Sequence, residues 1–212
     1  MNYWNHIWNL KASESSNEDI INGFGGQVEN TYKSDDLFKY LIKTYNIKKN
    51  ESILEFGCGS GRIGQYFINE GYKYYGIDKS INMINLFKSN NNNNNMCIDN
   101  IICVDNNKLP FENNSIDIII CYSVVQYLSN LTEFKNLLDE FIRVSKKLIY
   151  IGDIETIDHT NNNKKHYKYK YELNHLTISK DFITDLTMNY KINIHNNFCT
   201  RTSRYNCILE LM

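Results

Sequence analysis

The residues that could do chemistry in this chain are a glycine run and a few acids placed behind apolar stretches. Glu55-Phe56-Gly57-Cys58-Gly59-Ser60-Gly61-Arg62-Ile63-Gly64 follows directly on the short apolar stretch that begins at Ser52. Glycines there let the backbone turn sharply and let a ligand approach peptide N–H groups closely. Two patterns overlap in it: Gly-x-Gly-x-Gly from Gly57 to Gly61, and the dinucleotide pattern Gly-x-Gly-x-x-Gly from Gly59 to Gly64. The register favours the first, because the dinucleotide fingerprint starts its first glycine directly after the strand. Glu55 also stands where that fingerprint prefers an apolar residue. A carboxylate at a strand end beside a tight loop can instead hold an ammonium group. Asp78, Asp105 and Asp153 each close a later apolar stretch. The plain alternative for the loop is a structural turn, and for the acids a turn or helix-capping role.

The elements that must position these residues alternate in type. Ser34-Asp35 reads as a helix N-cap before Leu37, Phe38, Leu41 and Ile42. Short apolar strands are expected at 52–56, 74–77, 101–104, 116–121 and 148–151. Helices are expected around 63–67, 81–88, 137–144 and 182–186. Two final strands, 191–195 and 205–211, have no helix between them. The near-continuous apolar run of 116–121 suits a strand covered on both faces. Alternation of this kind predicts one α/β domain over residues 1–212: a doubly wound, mostly parallel, Rossmann-like sheet of seven strands with an antiparallel edge strand and helices on both faces. Ligands then bind at the carboxyl ends of the strands, near the switch point of strand order.

Composition narrows the class without naming a function. The 212 residues include 33 Asn, one Ala and one Pro, and the net charge is −1. The Asn, Lys, Ile and Tyr excess points to an AT-rich genome, such as that of a protozoan, a low-GC bacterium or a large DNA virus. A near-neutral chain lacks the basic excess expected of a nucleic-acid binder. No apolar run approaches a membrane span, and residues 1–11 do not read as a signal peptide. Six Cys without a Cys-x-x-Cys pair read as small core hydrophobes of a reducing, cytoplasmic compartment, and no metal ligands are nominated.

Ile53-Leu-Glu-Phe-Gly-Cys-Gly-Ser-Gly61 resembles the first motif of class I S-adenosylmethionine-dependent methyltransferases. Tyr75-Gly-Ile-Asp-Lys-Ser80 looks like the second strand of that family with its terminal acid. Cys103-Val-Asp-Asn106, Leu109-Pro-Phe111 and Ser115-Ile-Asp117 resemble the region of its third and fourth strands. The resemblance implies S-adenosylmethionine as cofactor and S-adenosylhomocysteine as product. It places Gly57, Cys58, Gly59 and Gly61 against the methionine half, with free N–H groups for its carboxylate. Glu55 would face the positive end or order the loop. Asp78, 17 residues beyond Gly61, has the spacing of an acid that takes ribose hydroxyls. Lys79 and Met83 would flank the adenine, Asp105 would accept from its amino group, and Asn106 would lie against the ring. Tyr122, in Cys121-Tyr-Ser-Val-Val-Gln-Tyr-Leu128, joins the cofactor set.

The acceptor is less legible. The Asp/Asn-Pro-Pro-aromatic pattern of many methylases acting on base or amide nitrogens is absent, as is Pro-Cys. Asp153 and His159 are the candidate catalytic groups, with His166 and His175 as further candidate bases. Each of these histidines could equally sit on the surface, and Asp153 could merely cap a loop. Residues 155–180 read as a substrate-side insertion, and residues 1–33 as an N-terminal lid carrying Trp4 and Trp8 at helical spacing. Those two aromatics pack on the sheet or close over the cofactor. Tyr and Lys alternate over 166–171, which suits a lid, a nucleic-acid contact or a half-exposed strand. The chain is similar to small methyltransferases of glycan and polysaccharide clusters. This implies O-methylation of a sugar, nucleotide sugar or other small metabolite, with no membrane insertion and no nucleic-acid partner. An RNA or protein methyltransferase and a non-catalytic S-adenosylmethionine-binding module are the alternatives.

Overall fold

A computed structural model of the chain describes residues 3–14, 34–91, 98–104, 108–156, 175–199 and 204–211. Helix α1 (Tyr3–Glu14) and α2 (Ser34–Thr44) precede β1 (Ser52–Phe56). Then come α3 (Gly64–Asn69), β2 (Lys73–Asp78), α4 (Ile81–Asn90), β3 (Ile101–Cys103) and β4 (Ile116–Tyr122). Helix α5 (Leu131–Val144), β5 (Ser145–Glu155), α6 (Lys180–Leu186), β6 (Lys191–His195) and β7 (Arg204–Glu210) complete the order. The strands form one sheet in the order β3-β2-β1-β4-β5-β7-β6. All pairings from β3 to β5 are parallel, and β7 runs antiparallel to both β5 and β6. The reversed strand therefore lies one place in from the edge. The loop between β6 and β7 consequently returns to the carboxyl end of the parallel strands.

Alternation along the strands sends side chains to two cores. Leu54, Phe56, Ile119, Ile149, Ile151 and Leu209 pack with α5 and α6 through Phe134, Leu137, Phe141 and Ile183. Ile53, Tyr74, Ile118, Ile120 and Tyr150 pack with α2, α3 and α4 through Phe38, Phe67, Ile84 and Phe87. Both faces of the central strands are thus covered, which explains their continuous apolar runs. Helix α5 begins six residues before the expected 137, because Asn130 caps it: the Asn130 Oδ1 accepts from the Glu133 N–H at 2.9 Å. The Glu133 carboxylate reaches back to the Ser129 N–H at 2.7 Å, so two end donors are satisfied together. Strand β5 extends beyond the expected 148–151 because β4 and β7 flank it on both sides. Its register shifts between Ile151 and Ile154, which makes Gly152-Asp153 a bulge at the carboxyl end of the sheet. Of the five described cysteines, Cys103 is exposed, and the other four are buried as expected.

Candidate active site

Strand β1 delivers the glycine loop between β2 and β4, at the switch point of strand order. Gly57, Gly59 and Gly61 all have positive φ, each under a different constraint. A Cβ on Gly57 would lie 2.3 Å from Val124, and one on Gly61 would lie 2.4 Å from the Phe87 ring. A Cβ on Gly59 would meet nothing within 4 Å, so this residue faces open space where a ligand can approach the backbone. The loop is closed by its own hydrogen bonds. Gly57 and Cys58 both donate to the Ile77 carbonyl, at 2.7 and 3.0 Å, and Gly61 donates to the Cys58 carbonyl at 3.0 Å. Gly59 donates to Asp78 Oδ2 at 2.8 Å. The expectation of free N–H groups at these four positions is corrected: the sharp turn consumes them.

Asp78 accepts at both oxygens, since the Ser80 N–H donates to its Oδ1 at 2.8 Å. Burial raises its pKa, and the backbone N–H groups oppose that shift. A carboxylate has roughly four acceptor sites, and the backbone N–H groups of Gly59, Lys79 and Ser80 leave room for a further donor. Glu55 lies beneath the loop, 3% exposed. Its Oε2 accepts from the Tyr74 hydroxyl at 2.5 Å. Burial pushes its pKa up to about 8, against the lowering effect of the Tyr74 bond and the Gly64 N–H. Near pH 7 it is therefore a neutral group held by Tyr74 and Gly64.

The other expected cofactor residues divide by position. Met83 is buried, and its N–H donates to Ser80 Oγ at 3.2 Å. The Lys79 ammonium, just before α4, reaches Glu133 of α5 at 3.3 Å. The Tyr122 hydroxyl donates to the Phe198 carbonyl at 2.7 Å, with its ring stacked 6.5 Å from Tyr150. Asp105, Asn106 and His159 lie outside the described residues, as do His166 and the Tyr-Lys alternation.

At the carboxyl ends of β4 and β5 a buried polar network reaches β7. Asp153 is fully buried. Its Oδ2 accepts from Arg204 Nη1 at 2.5 Å and from Ser123 Oγ at 2.9 Å, and its N–H donates to Asn206 Oδ1 at 2.8 Å. Gln126 Nε2 donates to Ser123 Oγ at 3.0 Å, while Gln126 Oε1 is buried with no hydrogen-bond donor among the described residues. Arg204 Nη2 also reaches Glu155 Oε2 at 3.2 Å, and the same oxygen lies 2.8 Å from His175 Nδ1. Three non-glycine residues with positive φ gather here, Ser123, Asp153 and Phe198. Such strain persists where surrounding contacts over-determine the backbone and often marks a functional site. Asp153, a candidate catalytic group from the sequence, is turned by the bulge onto Arg204 and is buried.

Helix α1 lies along this same edge. Trp4 packs on Tyr127 at 4.8 Å and on His175 at 5.6 Å, and Trp8 packs on Tyr127 at 5.4 Å. At its other end Asn9 Oδ1 accepts from Ser80 Oγ at 2.8 Å and from the Asn82 N–H at 3.2 Å. The helix thus bridges the end of β2 to the end of β4. Sequence reasoning missed Tyr74, Gln126, Glu155 and Arg204. One signal was present: an arginine opening the apolar run Tyr205–Leu209 demands a buried counter-charge.

Comparison with known proteins agrees with this arrangement. Residues 54–148 match the methyltransferase domain family. The sterol 4-C-methyltransferase strm-1 of Caenorhabditis elegans is 26% identical over 152 residues, which are 70% of this chain and 44% of that protein. The chain spans less than half the length of the curated relatives it matches. A S-adenosylmethionine-dependent methyltransferase of Methanosarcina mazei superposes with TM-score 0.66 at 19% identity, covering 80% of this chain and 96% of that one. Magnesium protoporphyrin IX methyltransferase of Synechocystis, with bound S-adenosylhomocysteine, gives TM-score 0.66 at 12% identity over 99% and 94%. The matched segment carries the glycine loop and Asp78, and the fold is similar to that of these methyltransferases.

Proposed function

We propose that this chain transfers a methyl group from S-adenosylmethionine to a hydroxyl of a sugar-containing small molecule, such as a nucleotide sugar, in the cytoplasm. The cofactor half of this reading rests on the loop. Gly59 opens onto free space, Asp78 retains acceptor capacity for the ribose, and Gly57, Cys58 and Gly61 hold the turn. Lys79, Met83 and Tyr122, with Asp105 and Asn106, complete the proposed cofactor set. The cofactor supplies an activated methyl group; the protein aligns the acceptor with it.

The observation that carries the acceptor class is the meeting of aromatic rings with a buried polar network at one edge. Trp4, Trp8 and Tyr127 offer apolar faces for the C–H surface of a sugar ring. Beside them, the Gln126 side-chain oxygen Oε1 has no donor among the described residues, and a sugar hydroxyl would supply one. A buried acceptor of this kind costs free energy until it is satisfied. The test is S-adenosylhomocysteine release over a panel of nucleotide sugars. Turnover on at least one is expected, with loss of affinity for that sugar in Gln126→Leu. Activity confined to RNA or protein acceptors would sink the proposal.

A further inference from the structure

We propose that Asn9 is a positioning residue that couples cofactor binding to the seating of helix α1 against the acceptor side; this rests on the cofactor site proposed above. Asn9 lies in the middle of α1, and its side chain completes the start of α4. Its Oδ1 accepts from the Ser80 hydroxyl at 2.8 Å and from the Asn82 N–H at 3.2 Å. The Ser80 oxygen in turn accepts from the Met83 N–H at 3.2 Å. Two donors that α4 leaves open at its N-terminus are thus taken, one by its own cap and one by a side chain from α1. The Asn82 Nδ2 group answers by donating to the Asn9 carbonyl at 3.0 Å and to Ser13 Oγ at 3.2 Å. Asn9 Nδ2 donates to Asn5 Oδ1 at 3.2 Å, one turn earlier. Asn5, Asn9 and Ser13 recur at i, i+4 spacing and so form one polar face of the helix.

The same helix carries two tryptophans one residue out of phase with that face. Trp4 and Trp8 precede Asn5 and Asn9, and both rest on Tyr127 of the turn after β4. One face of α1 is therefore fastened to the segment after β2, and the adjacent face lies on the segment after β4. The segment fastened by Asn9 is the one that begins with Asp78, because the Ser80 N–H donates to Asp78 Oδ1 at 2.8 Å. A ribose hydroxyl donating to Asp78 would fix residues 78–82. It would thereby hold the Ser80 hydroxyl and the Asn82 N–H where Asn9 meets them. Such coupling is reciprocal: if the cofactor seats α1, a seated α1 strengthens cofactor binding by the same factor. Trp4 and Trp8 move with Asn9 on one helix. The aromatic wall of the acceptor side is then complete only when the cofactor is in place, which gives the cofactor precedence in the order of binding.

The experiment needs no acceptor, because Trp4 and Trp8 are the only tryptophans of the chain and their fluorescence reports α1 alone. The full chain is titrated with S-adenosylhomocysteine by calorimetry. Acrylamide quenching of tryptophan emission is then measured without the ligand and at saturation. Saturation should protect the wild-type tryptophans from acrylamide. Asn9→Ala should bind S-adenosylhomocysteine roughly 10-fold more weakly. At its own saturation it should show no gain in protection, a loss of response that a merely structural contact would not give. Asn82→Ala breaks the same contact from the α4 side and should behave alike; it decides the matter if Asn9→Ala does not fold. Ligand that binds wild type without changing its quenching overturns the proposal, as does a wild-type response in the folded variants. A wild-type chain that does not bind S-adenosylhomocysteine refutes the cofactor site itself, and the proposal with it.

Discussion

Replacing Glu55 by Gln should change how stability depends on pH, and the size of the change follows from its burial. Its folded pKa is about 8, against an ordinary 4.5. Below pH 4.5 the carboxyl is protonated in both folded and unfolded chains and costs nothing. Between those values the unfolded chain releases the proton and the folded chain retains it. Stability therefore falls as pH rises through this window, by about 1.4 kcal/mol per pH unit. Between pH 5 and pH 8 the wild-type chain should lose roughly 3.5 kcal/mol from this group, an order-of-magnitude figure. Glutamine does not titrate. The difference in unfolding free energy between Glu55→Gln and wild type should therefore climb by that amount across the range, whatever constant offset the changed hydrogen bonds introduce. Urea unfolding followed by far-UV circular dichroism at pH 5, 6, 7 and 8 measures it, provided the transition is two-state. A difference that stays flat with pH would refute the reasoning, because it would mean that Glu55 is ionised in the folded protein.

Four further outcomes are expected. Asp78→Ala removes both the proposed ribose acceptor and the Gly59 anchor, and Gly59→Arg fills the open space; each should cut S-adenosylmethionine affinity by roughly 30-fold or more in calorimetry on the folded variant. Gly59→Ala meets only a positive φ and should cost about 1 kcal/mol, whereas Gly57→Ala and Gly61→Ala also strike Val124 and Phe87 and should cost distinctly more in urea unfolding. Arg204→Met removes the guanidinium paired with the buried Asp153 and the partly exposed Glu155 and should destabilise by about 3–5 kcal/mol, with part recovered when Asp153→Asn is added. Asn9→Ala loosens the attachment of α1, and faster limited proteolysis within residues 3–14 should report it, with little change in global unfolding.

The alternation of strands and helices was legible in the chain because it is local. Apolar runs such as 116–121 and the glycines after Phe56 act through residues adjacent in sequence, and the sheet order matches that reading. Helix α5 shows where local reading fell short, since its apolar face was read only from Leu137 and its cap at Asn130 was passed over. The site was legible in part for the same reason. Gly57, Gly59, Gly61 and Asp78 lie at the ends of adjacent parallel strands, where the fold gathers them.

What the sequence by itself determined is therefore the fold class and the place of the loop. Tertiary structure decided the electrostatics. Glu55 reads as an anion in sequence, yet burial keeps it neutral near pH 7, against the opposing hydrogen bond from Tyr74, 19 residues away. Asp153 reads as a candidate base, yet a bulge in β5 turns it onto Arg204, 51 residues further on. His175 gains its orientation from Glu155, 20 residues earlier, and its cover from Trp4 at the other end of the chain. Protonation and ion pairing depend on solvent exclusion and on through-space neighbours a few ångströms away. Periodicity along a chain records which side chains share a face, and carries no measure of either.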